Sequence, residues 1–241
     1  MTFSGPRGMP AIVTNNRLLA ALRPETRERL AAHFELVNFR PRDVLAPADE
    51  PVTHVLFLES GICSLVASTR EGQAVECAAV GIEGFVGTAA IVPNESLPVD
   101  AIAQTSGSAL RLPVDAFRRE LATDEAFRDM SRRYVHALLV QALQSAACNR
   151  LHSLEERCAR WLLTAHDRVG NEALAVTQEA LAAALGVRRP SLTLVASVLQ
   201  RAGLISYRRG EMRILDRRGL ETTACECYGV IRSYLDRVLP K

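Results

Sequence analysis

The sequence predicts an α+β chain built from a strand-rich N-terminal domain, one long helix, and a C-terminal helix-turn-helix with a two-stranded wing. Three observations predict this order. Short apolar runs alternate with turn residues from Glu35 to Leu112, as in a small β-sandwich or barrel. Residues 124–151 contain neither Gly nor Pro and carry apolar residues at helical spacing. The residues between Thr177 and Leu215 fit two short helices followed by a hairpin.

Length and composition bound the class of protein. A chain of 241 residues has room for one or two domains with cores of their own. It contains no run of eighteen apolar residues, and its first residues lack the apolar centre of a signal peptide, so we expect a cytoplasmic protein without a membrane span. In that compartment its six cysteines should be reduced thiols: Cys63, Cys77, Cys148, Cys158, Cys225 and Cys227.

The N-terminal part is predicted in more detail. Residues 1–13 are expected to form a loose tail, and a helical segment interrupted at Pro24 should follow over residues 15–34. Strands are predicted at FELVNF, HVLFLESG, ICSLVAS, AVECAAVG, VDAIAQ and SALRLP, with Glu71-Gly72 joining two of them. Residues 113–121 should form a short helix.

The long helix is apolar around most of its circumference, so it should be buried on most sides. One face can pack on the strand domain. A parallel copy of the same helix is the simplest partner for the other face, and the alternative is that both faces pack within one chain. The predicted dimer contacts are Phe127, Met130, Tyr134, Ala137, Leu138 and Gln141.

The C-terminal part should begin with a capped helix. Ser153-Leu154-Glu155-Glu156 has the pattern of a helix start, and this helix should run to about Val169. We therefore place the boundary near residues 149–153 and predict three parts, 14–122, 123–152 and 153–241. The last segment, residues 217–239, should be helical.

Helix-capping and helix-breaking residues predict the helix-turn-helix. Thr177 can cap the first helix, and Gly186 breaks it. Pro190 suits the first turn of the second helix, and Gly203 ends that helix. A basic turn at residues 208–210 should join the two wing strands, the second of them at residues 212–215. A helix placed in this way presents its N-terminal side chains to base edges in the major groove.

The charges support contact with double-stranded DNA. The whole chain carries only +2, but residues 186–218 contain eight arginines against two acidic residues, a local net charge of +6. A local basic stripe of this kind is typical of phosphate contact, although alone it also fits a solvated basic face. The predicted DNA-contacting residues are Thr177, Gln178, Arg188, Arg189, Ser191, Thr193, Arg208, Arg209 and Arg213.

Four sequence blocks carry a resemblance to a known family. They are EERCARWLLTAHDRVG (155–170), the TQEALAAALGVRR block from Thr177, LQRAGLISYRRG (199–210) and ACECY (224–228), together with VECAAVGIEGFVG (75–87) in the strand domain. With these residues the chain resembles the Crp–Fnr superfamily of bacterial transcription regulators. The resemblance implies a jelly roll of the cyclic-nucleotide-binding type, a homodimer joined along the long helix, and a two-fold symmetric DNA operator. RNA polymerase is a candidate second partner.

The effector pocket departs from the family pattern. After Gly87, Thr88 stands where nucleotide-binding members have the Glu that meets the ribose, and their Arg-Ser pair falls on Pro98 and Val99. Pro and Val have no donor for a phosphate anion. The Thr-Ser pair that meets the adenine falls on the long helix at Leu143 and Gln144. These losses argue against cyclic AMP and leave the effector unknown, with Arg111 more simply read as a surface strand residue.

Other cofactors find little support in the sequence. The N-terminal cysteine cluster of oxygen-sensing members is absent, because the first cysteine is Cys63. His33 and His54 could serve as haem ligands but fit ordinary structural positions. Cys225 and Cys227 could form a redox pair, yet on one helix they would point about 200° apart, and two cysteines alone make no metal site. We therefore predict neither a cofactor nor a metal.

Two further classes of function compete with DNA binding. Pairs such as Cys148–His152 and His166–Asp167 could serve an enzyme, but the sequence lacks a nucleotide loop, a nucleophile elbow or a third orienting group, and we predict no catalytic residues. A helix-turn-helix that contacts protein is the other alternative, and the arginine-rich wing argues against it.

The resemblance also predicts how bases are read. Arg189 matches the recognition-helix Arg that reads guanine, whereas Pro190 replaces a Glu and Leu194 replaces a later Arg. A Glu accepts a hydrogen bond from cytosine and a Pro does not. We therefore expect a half-site other than the TGTGA type of the best-known members.

Overall fold

The computed structural model describes residues 13–170, 173–208 and 210–239. Two short helices precede the strands, and the predicted interruption at Pro24 is confirmed: α1 (Arg17–Ala20) and α2 (Pro24–Ala31). Asn16 ties this segment to the strand domain, since its side chain caps α1 and donates to the carbonyls of Leu58 and Gly84 at 3.0 and 2.7 Å. The predicted tail, residues 1–13, lies outside the described residues except for its last position.

The strand domain is the predicted jelly roll. Its strands form two four-stranded antiparallel sheets, in the orders β1-β8-β3-β6 and β2-β7-β4-β5, where the strands are β1 (Glu35–Phe39), β2 (Val44–Ala46), β3 (His54–Ser60), β4 (Cys63–Ser68), β5 (Ala74–Val80), β6 (Phe85–Val86), β7 (Asp100–Ala103) and β8 (Gly107–Pro113). That interleaving of first with last strands is the double Greek key of a jelly roll. Six strands match the predicted runs. Strands β2 and β6 were not predicted, because two or three residues are too short to show alternation.

Helices α3 (Val114–Thr123) and α4 (Glu125–Leu151) close the jelly roll. Aromatic side chains form the contact, with ring centroids of Phe85 and Tyr134 4.8 Å apart and those of Phe117 and Phe127 5.4 Å apart. Tyr134 also donates a hydrogen bond to the carbonyl of Phe85 at 3.2 Å. The long helix is therefore seated on the strand domain along its first half.

The residues predicted to form the dimer contact pack inside the chain instead. The predicted long helix is confirmed, and within one chain its apolar stripe meets the strand domain and the C-terminal helix: Phe127, Tyr134, Ala137, Leu138 and Gln141 are buried and Met130 is half-buried. The exposed apolar side chains lie on the other face, with Leu139 52 % and Leu143 63 % accessible. Both faces are apolar, and only tertiary packing decides which is inside.

The chain bends sharply after α4. His152 ends that helix, and Ser153 begins α5 (Leu154–Val169) with the predicted cap: Ser153 accepts from the backbone of Glu156, whose carboxylate accepts from the backbone N–H of Ser153. Both donors of this capping box are satisfied, which fixes the start of the helix.

The C-terminal part contains the predicted helices and wing. Its elements are α6 (Gln178–Ala184), α7 (Arg189–Arg201), β9 (Ile205–Arg208), β10 (Glu211–Ile214), α8 (Arg217–Thr223) and α9 (Cys227–Val238). The return strand begins one residue earlier than predicted. The last segment is two helices rather than one, because the chain turns at Ala224, whose backbone is extended. Helix α9 then runs back along α4.

The jelly roll and the C-terminal part are in direct contact. Trp161 of α5 donates to the buried carboxylate of Glu76 on β5 at 3.1 Å. Arg168 of α5 forms a buried ion pair with Glu83 at 2.8 Å and donates to the carbonyl of Ala79 at 2.9 Å. Burial raises the pKa of Glu76. The jelly roll and the C-terminal part thus share one continuous apolar and polar interface.

Among the helices of residues 13–170, 173–208 and 210–239, no single one is long and apolar enough to cross a bilayer. Only the bent pair α6–α7, counted as one segment, reaches that length and composition.

Candidate DNA interface and effector pocket

Helices α6 and α7 have the geometry of a helix-turn-helix. They meet at 106°, within the range of such motifs. Thr177 caps α6 as predicted, accepting from the backbone of Ala180 at 3.1 Å. Gly186 takes a left-handed φ of 64° in the turn, where an added Cβ would press on Val75 of β5. The motif is therefore both correctly angled and in contact with the jelly roll.

The predicted DNA-contacting residues gather on one exposed surface. Arg188, Arg189, Ser191 and Thr193 are exposed at the start of α7. Two contacts orient them from α6: Arg189 pairs with Glu179 at 2.6 Å, and Thr193 donates to Gln178 at 2.9 Å. Arg189 remains 61 % accessible in this pair, so its guanidinium can leave Glu179 for a base or a phosphate.

Two exposed apolar residues lie on the same helix, and they were not among the predicted contacts. Leu194 is 71 % and Val198 37 % accessible, five and nine residues after Arg189 on α7. Apolar side chains on a groove-facing helix can contact thymine methyl groups. The sequence pointed to an apolar contact where Leu194 replaces the Arg of the family pattern. The prediction used this replacement only as the loss of a polar base contact.

The wing continues the basic surface. Arg208 lies opposite Glu211 in the strand register, and Arg213 forms an exposed ion pair with Glu211 at 3.2 Å. The side chain of Gln200 accepts from the backbone of Tyr207 at 2.9 Å, which fixes the wing to the end of α7. The remaining predicted wing residue, Arg209, lies outside the described residues.

The predicted effector pocket is small. Gly87, Thr88 and Val99 line one cavity of about 20 Å³, together with Leu97, the neighbour of the predicted Pro98. That volume holds about one water molecule, whereas ligand pockets enclose at least about 300 Å³. Glu50 is the charged residue in its lining, and a carboxylate repels phosphate.

Leu143 and Gln144 do not belong to this cavity, which corrects their assignment to it. Leu143 projects from the exposed face of α4, and Gln144 donates to the thiol of Cys227 at 3.1 Å. Within one chain α4 turns these positions away from β6 because its other face packs on the jelly roll.

The remaining candidates have ordinary partners. His54 contacts the hydroxyl of Thr53 at 3.0 Å, and His33 is exposed. Arg111 pairs with Glu35 across neighbouring strands at 2.5 Å. The pair His166–Asp167 is held by Arg217, which lies 2.8 Å from the imidazole and 2.7 Å from the carboxylate. Burial and then the charge of Arg217 lower the pKa of His166.

Comparison with known proteins matches both halves. The Crp-like helix-turn-helix domain matches residues 156–223, and the cyclic nucleotide-binding domain matches residues 36–124. Transcriptional regulator SdrP of Thermus thermophilus is 28 % identical over 198 residues, covering 79 % of this chain and 94 % of that protein. HTH-type transcriptional regulator Cmr of Mycobacterium tuberculosis is 27 % identical over 202 residues, covering 81 % and 78 %. The structure of FixK2 from Bradyrhizobium japonicum has the same fold, with TM-score 0.68, 16 % identity and coverage of 80 % and 98 %.

A jelly roll joined by a long helix to an exposed, arginine-bearing winged helix-turn-helix defines a DNA-binding transcription regulator. The chain belongs to the Crp–Fnr family of such regulators.

Proposed function

We propose that this regulator binds a near-palindromic operator as a homodimer and that cyclic AMP does not control it. It acts in the cytoplasm, where the chromosome is, with RNA polymerase as a further partner, and it catalyses no reaction. The observation that carries the dimer is the exposed apolar stripe on α4, defined by Leu139, Leu143 and Ala146. Spacings of four and three residues repeat the heptad pattern of a two-stranded coiled coil.

A dimer through this stripe uses the helix that the sequence predicts, α4, but the opposite face of it. Parallel packing of two α4 helices would place one Leu143 against the other, which removes from water two side chains that are 63 % accessible in the single chain. The recognition helices of the two chains would then lie about 34 Å apart, one turn of DNA, and require a site with two-fold symmetry.

Substitution of the stripe tests the dimer. We expect Leu143→Glu to raise the dimer dissociation constant roughly 100-fold or more, since two carboxylates would be desolvated against each other. Sedimentation equilibrium measures this, and circular dichroism verifies the fold. Leu36→Glu is the matched control, because Leu36 is also 63 % accessible but lies on β1. A Leu143→Glu protein as dimeric as wild type would contradict the proposal.

The half-site should differ from the TGTGA type. In this proposal Arg189, whose side chain is 61 % accessible, reads a guanine or contacts a phosphate beside it, and the exposed Leu194 contacts a thymine methyl. Pro190 offers no acceptor to a cytosine. Ser191 and Thr193 supply the remaining hydroxyls, and the wing arginines neutralise phosphates on either side of the groove.

Independence from cyclic AMP is supported by the cavity beside Thr88. Its volume of about 20 Å³ is far below what a nucleotide needs, and its charged lining residue is an acid. A cyclic phosphate needs charge-assisted hydrogen bonds, and Pro98 and Val99 have no donor to form them. Another effector, or none, would control the regulator.

A further inference from the structure

Four side chains with soft ligand atoms meet where the long helix ends. Cys148 and His152 lie on the last turn of α4 and at its end, Cys227 is the first residue of α9, and Cys225 lies just before that helix. The Sγ atoms of Cys148 and Cys225 are 3.5 Å apart, and Sγ of Cys227 is 3.5 Å from Nδ1 of His152. All four ligand atoms lie within 4.8 Å of one another.

From the sequence alone, Cys148–His152 and Cys225–Cys227 are two unrelated pairs, and neither predicts a metal site. The expected separation of about 200° between Cys225 and Cys227 assumes that both lie on one helix. That assumption is wrong, because Cys225 precedes α9 and the backbone of Ala224 is extended. Both thiols therefore converge on α4, and the return of α9 along α4 brings the pairs together.

The distances suit a single tetrahedral ion. At Zn–S bonds of about 2.3 Å, two thiolates on one Zn²⁺ lie roughly 3.8 Å apart. The separations of 3.5 Å and the outer limit of 4.8 Å fit this tetrahedron after small side-chain shifts. An iron–sulfur cluster distributes its cysteines over several irons and needs them farther apart. Three cysteines and one histidine form a common structural zinc set.

A second layer of contacts orients the ligands. Nε2 of His152 lies 3.2 Å from a carboxylate oxygen of Glu226, so Nδ1 is left to face the thiols. A carboxylate on the far nitrogen is the usual second partner of a metal-binding histidine. The amide of Gln144 donates to Sγ of Cys227 at 3.1 Å, and such a donor stabilises a thiolate.

The surroundings also suit an anionic centre. Zn²⁺ with three thiolates and a neutral imidazole carries a net charge of −1. Within the described ranges, the Nε atoms of Arg157 and Arg160 are buried without hydrogen-bond partners, and the charges of both side chains act on the thiol of Cys148.

We propose that Cys148, His152, Cys225 and Cys227 bind one Zn²⁺ that fastens α9 to the end of α4. On binding, the cysteines release the protons of their thiols to solvent, and His152 coordinates through the lone pair of Nδ1. The ion would fix the bend at His152–Ser153 and thereby the position of the helix-turn-helix relative to the long helix. This site does not depend on the proposed dimer or operator.

Metal analysis of the purified full-length protein tests the site. We expect one zinc per chain, and after exchange with Co²⁺ the absorption of a tetrahedral thiolate complex. Cys148→Ala and Cys225→Ala should lose both. Cys158→Ala is the matched control, because Cys158 is an equally buried helical cysteine outside the cluster, and it should keep full occupancy. Removing zinc should lower the Tm, since a ligand of the folded state stabilises it.

Two results would overturn the site. One is reduced, folded wild-type protein that takes up no Zn²⁺ in a titration against a chromophoric chelator. The other is occupancy in Cys148→Ala and Cys225→Ala equal to wild type. If those variants fail to fold, the Co²⁺ spectrum of the wild-type protein decides, because absence of thiolate-to-cobalt absorption contradicts the ligand set. Each readout is independent of DNA binding.

Discussion

The ion pair between Arg189 and Glu179 orients the Arg189 side chain but leaves it exposed to solvent. Its guanidinium rests on Glu179 at 2.6 Å, yet both side chains are about half exposed, and exposed pairs of this kind are worth less than about 1 kcal/mol. Moving the Arg189 guanidinium from Glu179 to a guanine or a phosphate therefore costs little free energy. Leu194 is exposed on the same helix, and the proposed contact with a thymine methyl would add apolar to polar base recognition.

The role of Arg189 can be separated from simple charge. Arg189→Ala should weaken binding to the preferred site by about 1–3 kcal/mol and relax the base preference at one position. Arg201→Ala is the control, because Arg201 is exposed in the last turn of the same helix. Fluorescence anisotropy on specific and random duplexes measures both. An equal loss on the two duplexes would mean that Arg189 contacts phosphate only.

At the scale of elements, the helices were more predictable than their packing. The caps at Thr177 and Ser153 and the extent of α4 follow from local sequence, because capping and helical spacing depend on neighbours three or four residues away. The inner face of α4 and the cluster at Cys148 were not predictable in this way. Each depends on where α9 returns, which is set by contacts between residues 77 and 83 positions apart.

Asp124 shows that a helix start can hold several elements together. Its carboxylate accepts from the backbone of Phe127 at 3.0 Å, and also from Thr26, Arg23 and Arg29 of the N-terminal segment. The hydrogen bond from Thr26, followed by those from Phe127 and Arg23, holds the pKa of this buried acid well below its usual value against the opposing effect of burial. Because the folded pKa is lowered, the stabilisation is present above about pH 4 and is lost as pH falls.

Asp124→Asn isolates the charge, since Asn still caps a helix. We expect the free energy of unfolding at pH 7 to fall by about 2 kcal/mol, and this difference from wild type to shrink as pH drops below about 4. Urea denaturation across pH measures both. Asp129→Asn on the same helix removes an exposed pair with Arg133 and should change stability by less than about 0.5 kcal/mol. A pH-independent difference would refute the electrostatic explanation.

At the scale of the whole molecule, the sensor-like jelly roll touches the DNA-binding part directly. Strand β5 supplies Glu76 to Trp161, and Val75 to the turn at Gly186. The buried pair of Glu83 and Arg168 closes the same interface. A change in the jelly roll thus has a short physical route to the helix-turn-helix, whichever ligand or partner produces it.

Trp161 reports on this docking, because it is the single tryptophan of the chain and is buried. Glu83→Gln leaves the guanidinium of Arg168 buried without its countercharge, which costs about 3–5 kcal/mol. We expect the interface to loosen and the Trp161 emission to shift to longer wavelength. Glu35→Gln, which breaks the exposed pair with Arg111, should leave the emission unchanged. An unshifted spectrum in Glu83→Gln would show that this pair does not hold the interface.

The most direct test of the central claim is selection of bound sequences from random duplex DNA by the purified full-length protein, with and without cyclic AMP. We predict enrichment of one near-palindromic site, with half-site centres about one DNA turn apart, to the same extent in both arms. Enrichment that requires cyclic AMP, or of sites without two-fold symmetry, would contradict the proposal of a homodimeric regulator that ignores this nucleotide.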